Sequence, residues 1–161
     1  MAPADPCPTG AAGISFLARP RGSPAARLRQ VTNLFHGLGP VVCVPEKQID
    51  ACVVFAGCGP AFWAHLGLTW AKLGGRFGIP PSIARRIVAA TLAGLARGTE
   101  GGTANLERLI ENIATPGGIT EAGIRFMDKA RVEDILNAMV VHCLARIGRI
   151  RGEFKSASVV Y

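Results

Sequence analysis

The segment Ala-Thr-Pro-Gly-Gly-Ile-Thr at positions 114–120 has the residue types best suited to hold a small anionic ligand. An apolar helical pattern runs into the Pro-Gly-Gly breaker and a second one starts directly after it, which predicts a helix, a sharp turn and a new helix. Adjacent glycines open the main chain to a ligand, and free N–H groups at a helix start attract carboxylates or phosphates. We therefore predict an anion site at Gly117 and Gly118, flanked by the hydroxyls of Thr115 and Thr120. The alternatives are that the glycines only shape the turn and that Thr120 is only the helix N-cap.

A second glycine-containing break lies at Gly57, Cys58, Gly59 and Pro60. Its glycines predict that the main chain approaches a neighbouring helix or a ligand closely. A thiolate is favoured near a helix N-terminus, so Cys58 is a candidate nucleophile, and a small packing residue is the alternative. His65 follows one or two turns later and is the candidate general base, with a histidine of the core or of an interface as the alternative.

Composition narrows the classes of protein to which the chain can belong. Its 161 residues are 49% hydrophobic and 18% charged, which predicts one domain whose helices pack against a partner chain. The net charge of +7 comes from scattered arginines without an aromatic-lined stripe, so we predict no nucleic-acid binding. Five cysteines without paired spacing predict a reducing cytoplasm, no disulfide framework and no metal site. Residues 51–71 lack charge, but a break near their middle argues against a membrane span.

The pattern along the chain predicts a mainly α fold with a small α/β unit at its start. We expect an irregular arm over 1–13, strands at 14–18 and 41–44, and a helix over 24–38 between them. Further helices are predicted over 47–54, 61–73, 80–97, 105–113, 120–129 and 132–150, with Asn105 as an N-cap and a loop at 98–103. The corresponding domains are 1–45, a helical substrate-site domain over 46–150, and a tail over 151–161.

Two segments of this chain together resemble the C-terminal part of the pyrroline-5-carboxylate reductase family. The family pattern of spaced aliphatics, Pro-Gly-Gly-x-Thr, a small residue and an acidic position falls on the following residues: Leu106, Leu109, Ile113, Pro116, Gly117, Gly118, Thr120, Gly123, Ile124, Met127 and Asp128. The segment DACVVFAGCGPAF at 50–62 is similar to the family's D-A-x-x-x-x-S-G-S-G-P-A-Y helix, and LFHGLGPVVCV at 34–44 is similar to the step before it. The resemblance covers roughly residues 30–148.

The resemblance implies a helical dimerisation domain of the 6-phosphogluconate-dehydrogenase-like C-terminal type, with an N-terminal α/β remnant. It also implies a homodimer or higher homo-oligomer and a substrate contact by Thr120 that helps to protonate a ring nitrogen. The dinucleotide fingerprint G-x-G-x-x-G is missing, so we expect NAD(P)H only if a partner supplies the nucleotide domain. Ala56, Cys58 and Phe62 stand where the family pattern has two serines and a tyrosine.

The leading expectation is therefore a dimeric module that binds a small cyclic imine or an amino-acid-like carboxylate through Thr115, Gly117, Gly118, Thr120, Gly57 and Gly59. Thr120, His65 and Cys58 are its candidate catalytic residues. One alternative is a repurposed non-redox enzyme, such as a cyclase or isomerase acting on an imine-like intermediate. The other is a structural partner that oligomerises with a full-length reductase.

Overall fold

The computed structural model describes residues 13–18, 24–98 and 104–157. The described elements are, in chain order: β1 (Ser15–Ala18), α1 (Ala25–Phe35), β2 (Val41–Val44), α2 (Ile49–Cys52), α3 (Gly59–Arg76), α4 (Pro81–Gly98), α5 (Ala104–Ile113), α6 (Ile119–Lys129) and α7 (Val132–Ala157). Short 3₁₀ turns precede β2 and α2, and a π-helical turn, Val53–Gly57, lies between α2 and α3. The mainly α architecture with two N-terminal strands confirms the predicted fold class.

The chain forms two compact units, one of residues Met1–Pro60 with Met139–Tyr161 and one of residues Ala61–Ala138. In the first unit β1 and β2 pair in parallel, with Ser15 opposite Val41 and Ala18 opposite Val44. Helix α1 makes the connection between them, since parallel neighbours need a crossover. This strand-helix-strand unit confirms the α/β start predicted from the alternating pattern.

The π-helical turn marks the place where the predicted glycine break interrupts the helix. The Cys58 N–H donates to the Val53 carbonyl at 3.0 Å, a bond to the fifth residue back. Pro60 has no N–H to donate and occupies the first turn of α3, where that loss costs nothing. Val54 is 1% exposed and anchors this turn in the first unit.

In the second unit α3 and α4 form an antiparallel hairpin through small residues. A Cβ on Gly67 would lie 3.2 Å from the Val88 side chain, and a Cβ on Gly74 would lie 3.2 Å from that of Ala84. Ala84 is 3% exposed, so the two backbones approach each other closely at this end.

Several helix ends differ from the predicted bounds. Helix α5 begins at Ala104, which places Asn105 inside the helix, so the predicted Asn105 cap is wrong. Helix α3 continues to Arg76, past the predicted stop at 73. Helix α7 continues to Ala157, seven residues beyond the predicted 150, and Arg151 on it forms a two-pronged ion pair with Asp50 at 2.5 and 2.7 Å. Residues 1–12 of the predicted 1–13 arm, most of the 98–103 loop and the last residues of the tail lie outside the described residues.

The described residues bury very little apolar surface within one chain. Among the described residues, the hydrophobic side chains that are fully buried are those of Val54 and Ala84. Large apolar side chains on several helices are strongly exposed: Trp63 62%, Trp70 69%, Phe77 83%, Ile119 95% and Phe126 71%. The stretch Glu46–Arg76 is long and apolar enough to cross a membrane by length and composition alone, a test that the core helix of a soluble protein also passes.

Candidate functional site

The turn between α5 and α6 uses its two glycines for different steric reasons. Gly117 has φ +73°, a left-handed conformation that side chains with a Cβ adopt only with strain. Gly118 has φ −81° and ψ 169°, which any residue adopts, but a Cβ there would lie 2.5 Å from Thr115 Oγ1 and 2.9 Å from the Thr115 carbonyl oxygen. The Gly118 N–H donates to that same carbonyl at 2.9 Å. The pair of glycines therefore follows from the turn geometry itself.

The backbone donor of Gly117 is engaged by a side chain of the following helix. Its N–H donates to Glu121 Oε2 at 2.7 Å, while Arg125 Nη2 donates to Glu121 Oε1 at 2.6 Å. The hydrogen bond from Gly117 and then the Arg125 guanidinium hold the pKa of Glu121 below its ordinary value of 4.5, so this carboxyl is ionised at neutral pH. Both glycine N–H groups, predicted as free donors to a ligand, thus already have acceptors.

The start of α6 still presents unpaired donors beside this turn. Its N-cap is Gly118, so the alternative interpretation of Thr120 as the N-cap is wrong, because Thr120 is the second residue of the helix. The Thr120 side chain is exposed, and within the described ranges its hydroxyl has no hydrogen-bond partner. The N–H groups of Ile119 and Thr120 likewise have no main-chain acceptor among the described residues, as expected for the first turn of a helix. A hydroxyl and adjacent amides can together donate to one carboxylate.

The Gly57–Cys58–Gly59 break belongs to the first unit. Cys58 is a half-buried bend residue that directly precedes α3, and Gly59 is buried. A Cβ on Gly59 would meet nothing within 4 Å, and one on Gly57 would meet only the Val53 side chain at 3.9 Å. The expected close approach at these glycines is therefore not made by another described part of this chain.

His65 lies on α3 in the second unit, and its side chain is exposed. Its carbonyl accepts a bond from the Thr69 hydroxyl at 2.9 Å, which is an ordinary contact within a helix. No partner orients its imidazole among the residues that the structure describes. Its role as a general base stays a prediction.

The contacts of Glu121 and Arg125 at this turn were not predicted from the sequence. The Glu121 carboxylate reaches back to the turn, where it accepts the Gly117 N–H. The signal was present, because an acid at the third helical position commonly accepts from N–H groups before the helix. An Arg four residues later also follows the spacing of a helical ion pair.

The described residues do not fit a nicotinamide dinucleotide. The parallel sheet has two strands of four residues each, which leaves no crevice between strands at a switch point, and the sequence lacks the G-x-G-x-x-G turn. In the described part of the chain no group of three or more histidine, cysteine or acidic side chains is arranged to hold a metal ion. Cys43, Cys52, Cys58 and Cys143 are free thiols.

Comparison with known proteins agrees with this architecture. The sequence profile of pyrroline-5-carboxylate reductase dimerisation matches residues 46–150. The pyrroline-5-carboxylate reductase of Mycobacterium tuberculosis is 29% identical over 157 residues, which cover 87% of this chain and 53% of the relative. Pyrroline-5-carboxylate reductase 2 of Bacillus subtilis is 28% identical over 122 residues, which cover 76% of this chain and 42% of the relative. The chain thus spans about half the length of the curated relatives it matches.

Solved structures show the same fold. A pyrroline-5-carboxylate reductase from Coxiella burnetii superimposes with a TM-score of 0.71 at 19% identity, covering 84% of this chain and 51% of that one. The Plasmodium falciparum enzyme, solved with NADP bound, gives a TM-score of 0.65 at 21% identity and covers 81% of this chain and 50% of that one. The profile match extends over well over half of the sequence and includes both glycine-containing segments, and so this chain belongs to the pyrroline-5-carboxylate reductase dimerisation family.

Proposed function

We propose that this chain is a homodimeric, substrate-holding module of the pyrroline-5-carboxylate reductase type. It binds a small cyclic imine or an amino-acid-like carboxylate at the turn of residues 115–120, where the dimer interface excludes water. We assign the dimerisation and substrate-site domain to residues 46–150, and the family match over these residues supports the dimerisation part of that assignment. Because the described residues do not fit a dinucleotide, we propose that NAD(P)H, where it takes part, is bound outside them.

The observation that carries this proposal is the unpartnered Thr120 hydroxyl beside two unpaired amides at the start of α6. Adjacent amide and hydroxyl donors suit a carboxylate, and the helix dipole adds a favourable field at the start of α6. A neutral hydroxyl is too weak an acid to protonate a ring nitrogen alone. Thr120 therefore holds the substrate, and it polarises the ring nitrogen or relays a proton to it.

Dimerisation is supported by the exposed apolar helices. Burying one large apolar side chain contributes roughly 1.5–3 kcal/mol. Covering Trp70, Phe77, Ile119 and Phe126 on each chain therefore yields on the order of 10 kcal/mol, which equals the whole stability of a typical domain. A second copy of the chain, or a higher homo-oligomer, is the partner that the family match supports.

A specific observation also favours a second candidate function, a non-redox cyclase or isomerase acting on an imine-like intermediate. The glycine-containing break at 57–60 lacks the three hydroxyls of the family pattern, because Ala56, Cys58 and Phe62 replace two serines and a tyrosine. Fewer side chains near this break can therefore relay a proton. In this candidate Cys58 is the nucleophile, and Gly57 and Gly59 admit the substrate. A purely structural partner of a full-length reductase is the third candidate, because the exposed apolar faces serve it equally well. For all three we propose the cytoplasm and no nucleic-acid or membrane partner.

A binding titration with matched variants tests the proposal. We expect L-proline, a cyclic amino acid, to bind the purified 161-residue chain, and Thr120→Ala to weaken that binding about tenfold, the loss of one or two hydrogen bonds. Thr91→Ala is the control, because Thr91 is an exposed threonine whose hydroxyl bonds only its own helix, at Ile87. NADPH fluorescence on the same samples separates the candidates. Saturable NADPH binding by the chain alone contradicts the need for a separate nucleotide domain, and equal L-proline affinity in both variants contradicts the role of Thr120.

A further inference from the structure

The turn proposed to receive a substrate carboxylate already binds a carboxylate of its own chain. Glu121 Oε2 accepts the Gly117 N–H at 2.7 Å, at the point where the left-handed glycine turns its amide toward the start of α6. A helix dipole alone does not select one donor, whereas here Glu121 Oε2 accepts specifically from the Gly117 N–H. A second carboxylate that approaches the same donors meets the negative charge of Glu121.

We propose that Glu121 is a built-in competitor of the substrate carboxylate, and that it leaves the Gly117 amide when an acidic ligand binds. This inference rests on the proposed function, because it requires that the 115–120 turn receive a carboxylate. Glu121 thereby determines which ligands bind. A ligand whose carboxylate can accept the Gly117 N–H displaces Glu121, whereas a ring without a carboxylate does not.

The two oxygens of Glu121 make the displacement inexpensive. Oε2 binds the Gly117 amide, while the other oxygen, Oε1, accepts from Arg125 Nη2 at 2.6 Å. Glu121 can therefore release the amide and keep its ion pair one turn further along α6. The Arg125 side chain is 76% exposed, so it can follow the carboxylate without disturbing packing.

Titration of ¹⁵N-labelled protein, with the Gly117 amide resonance as the probe, tests the inference. The variants are Glu121→Ala, which vacates the amide, and Glu121→Gln, which leaves an acceptor oxygen without the charge. Glu111→Ala is the control, because Glu111 is an exposed acid on the preceding helix. The ligands are L-proline and pyrrolidine, which has the same ring without a carboxylate.

We expect L-proline to bind Glu121→Ala about tenfold more tightly than the parent, with Glu121→Gln between them and Glu111→Ala equal to the parent. The Gly117 resonance should move when Glu121 is removed and move back as L-proline binds, whereas pyrrolidine leaves it unchanged. Equal or weaker L-proline affinity in Glu121→Ala overturns the competitor role and leaves the proposed site intact. L-proline that binds but moves the Gly117 resonance of no variant overturns the competitor role alone, because the Ile119 and Thr120 donors of the proposed site are separate from the Gly117 amide. If L-proline binds no variant, the proposed site fails and the inference fails with it.

Discussion

Gly117 and Gly118 are neighbours in the chain, but they meet different steric demands. Gly117 is required by its positive φ, and Gly118 is required because the Thr115 side chain and carbonyl occupy the space of a Cβ. The first demand is a backbone strain of roughly 1 kcal/mol. The second is a direct clash with backbone, which a rotamer change cannot relieve.

We predict that Gly118→Ala lowers the free energy of unfolding more than Gly117→Ala does, by roughly 1–3 kcal/mol against about 1 kcal/mol. Gly123→Ala is the internal control, because this helical position of α6 has nothing within 4 Å of an added Cβ. There alanine should stabilise the helix by up to about 1 kcal/mol. Urea denaturation of the three variants measures the order, and a Gly118→Ala variant as stable as Gly123→Ala would contradict this account of the turn.

At the scale of elements, the break between α2 and α3 is held in the first unit by one long-range ion pair. Asp50 lies on α2, just before the π-helical turn, and Arg151 on α7 contacts both of its carboxylate oxygens. Two parallel hydrogen bonds fix the relative orientation of the groups better than a single contact does. The pair therefore positions the segment that leads to Gly57 and Cys58.

A double-mutant cycle of Asp50→Asn and Arg151→Met should give a coupling energy of about 0.5–1 kcal/mol, the range for partly exposed pairs of good geometry. Arg146 and Glu153 on α7 provide the comparison, because their single contact is longer, at 3.2 Å, and both side chains are more than half exposed. We expect a coupling near zero for that pair. Equal couplings measured by urea denaturation would show that the two-pronged geometry adds nothing.

The elements that follow from local pattern could be predicted from the sequence, and those set by distant partners could not. The unit β1–α1–β2 was predictable because strand-forming residues flank an amphipathic helix. The end of α7 was not, since Arg151 meets an acid 101 positions away.

At the site, the turn and its glycines were predictable from Pro-Gly-Gly. The engagement of Gly117 by Glu121 depends on side-chain direction within one helical turn, which the apolar pattern does not report.

At the scale of the whole molecule, the described residues leave many large apolar side chains exposed. Trp70 and Phe77 line an open apolar groove of about 380 Å³ between α3 and α4 in the second unit. Exposed aromatic side chains of this kind commonly contribute the largest energies at protein interfaces.

We predict that the parent chain sediments as a dimer or larger oligomer at micromolar concentration, and that Trp70→Ser raises the dissociation constant at least thirtyfold, about 2 kcal/mol. Lys72→Ala on the same helix is the control and should change it less than threefold. Sedimentation equilibrium over a range of concentrations makes the measurement. A parent chain that is monomeric throughout this range would contradict the proposed assembly.

Few side chains of the described residues are buried, and this changes how substitutions among them should be interpreted. Burial within a single copy does not indicate which positions tolerate substitution, because the side chains of Phe77 and Ile119 are 83% and 95% exposed. If they meet their neighbours only in the assembly, their replacement should be penalised as severely as that of Val54. A deep mutational scan would then show that the positions intolerant of substitution lie on the helical faces that a second copy covers.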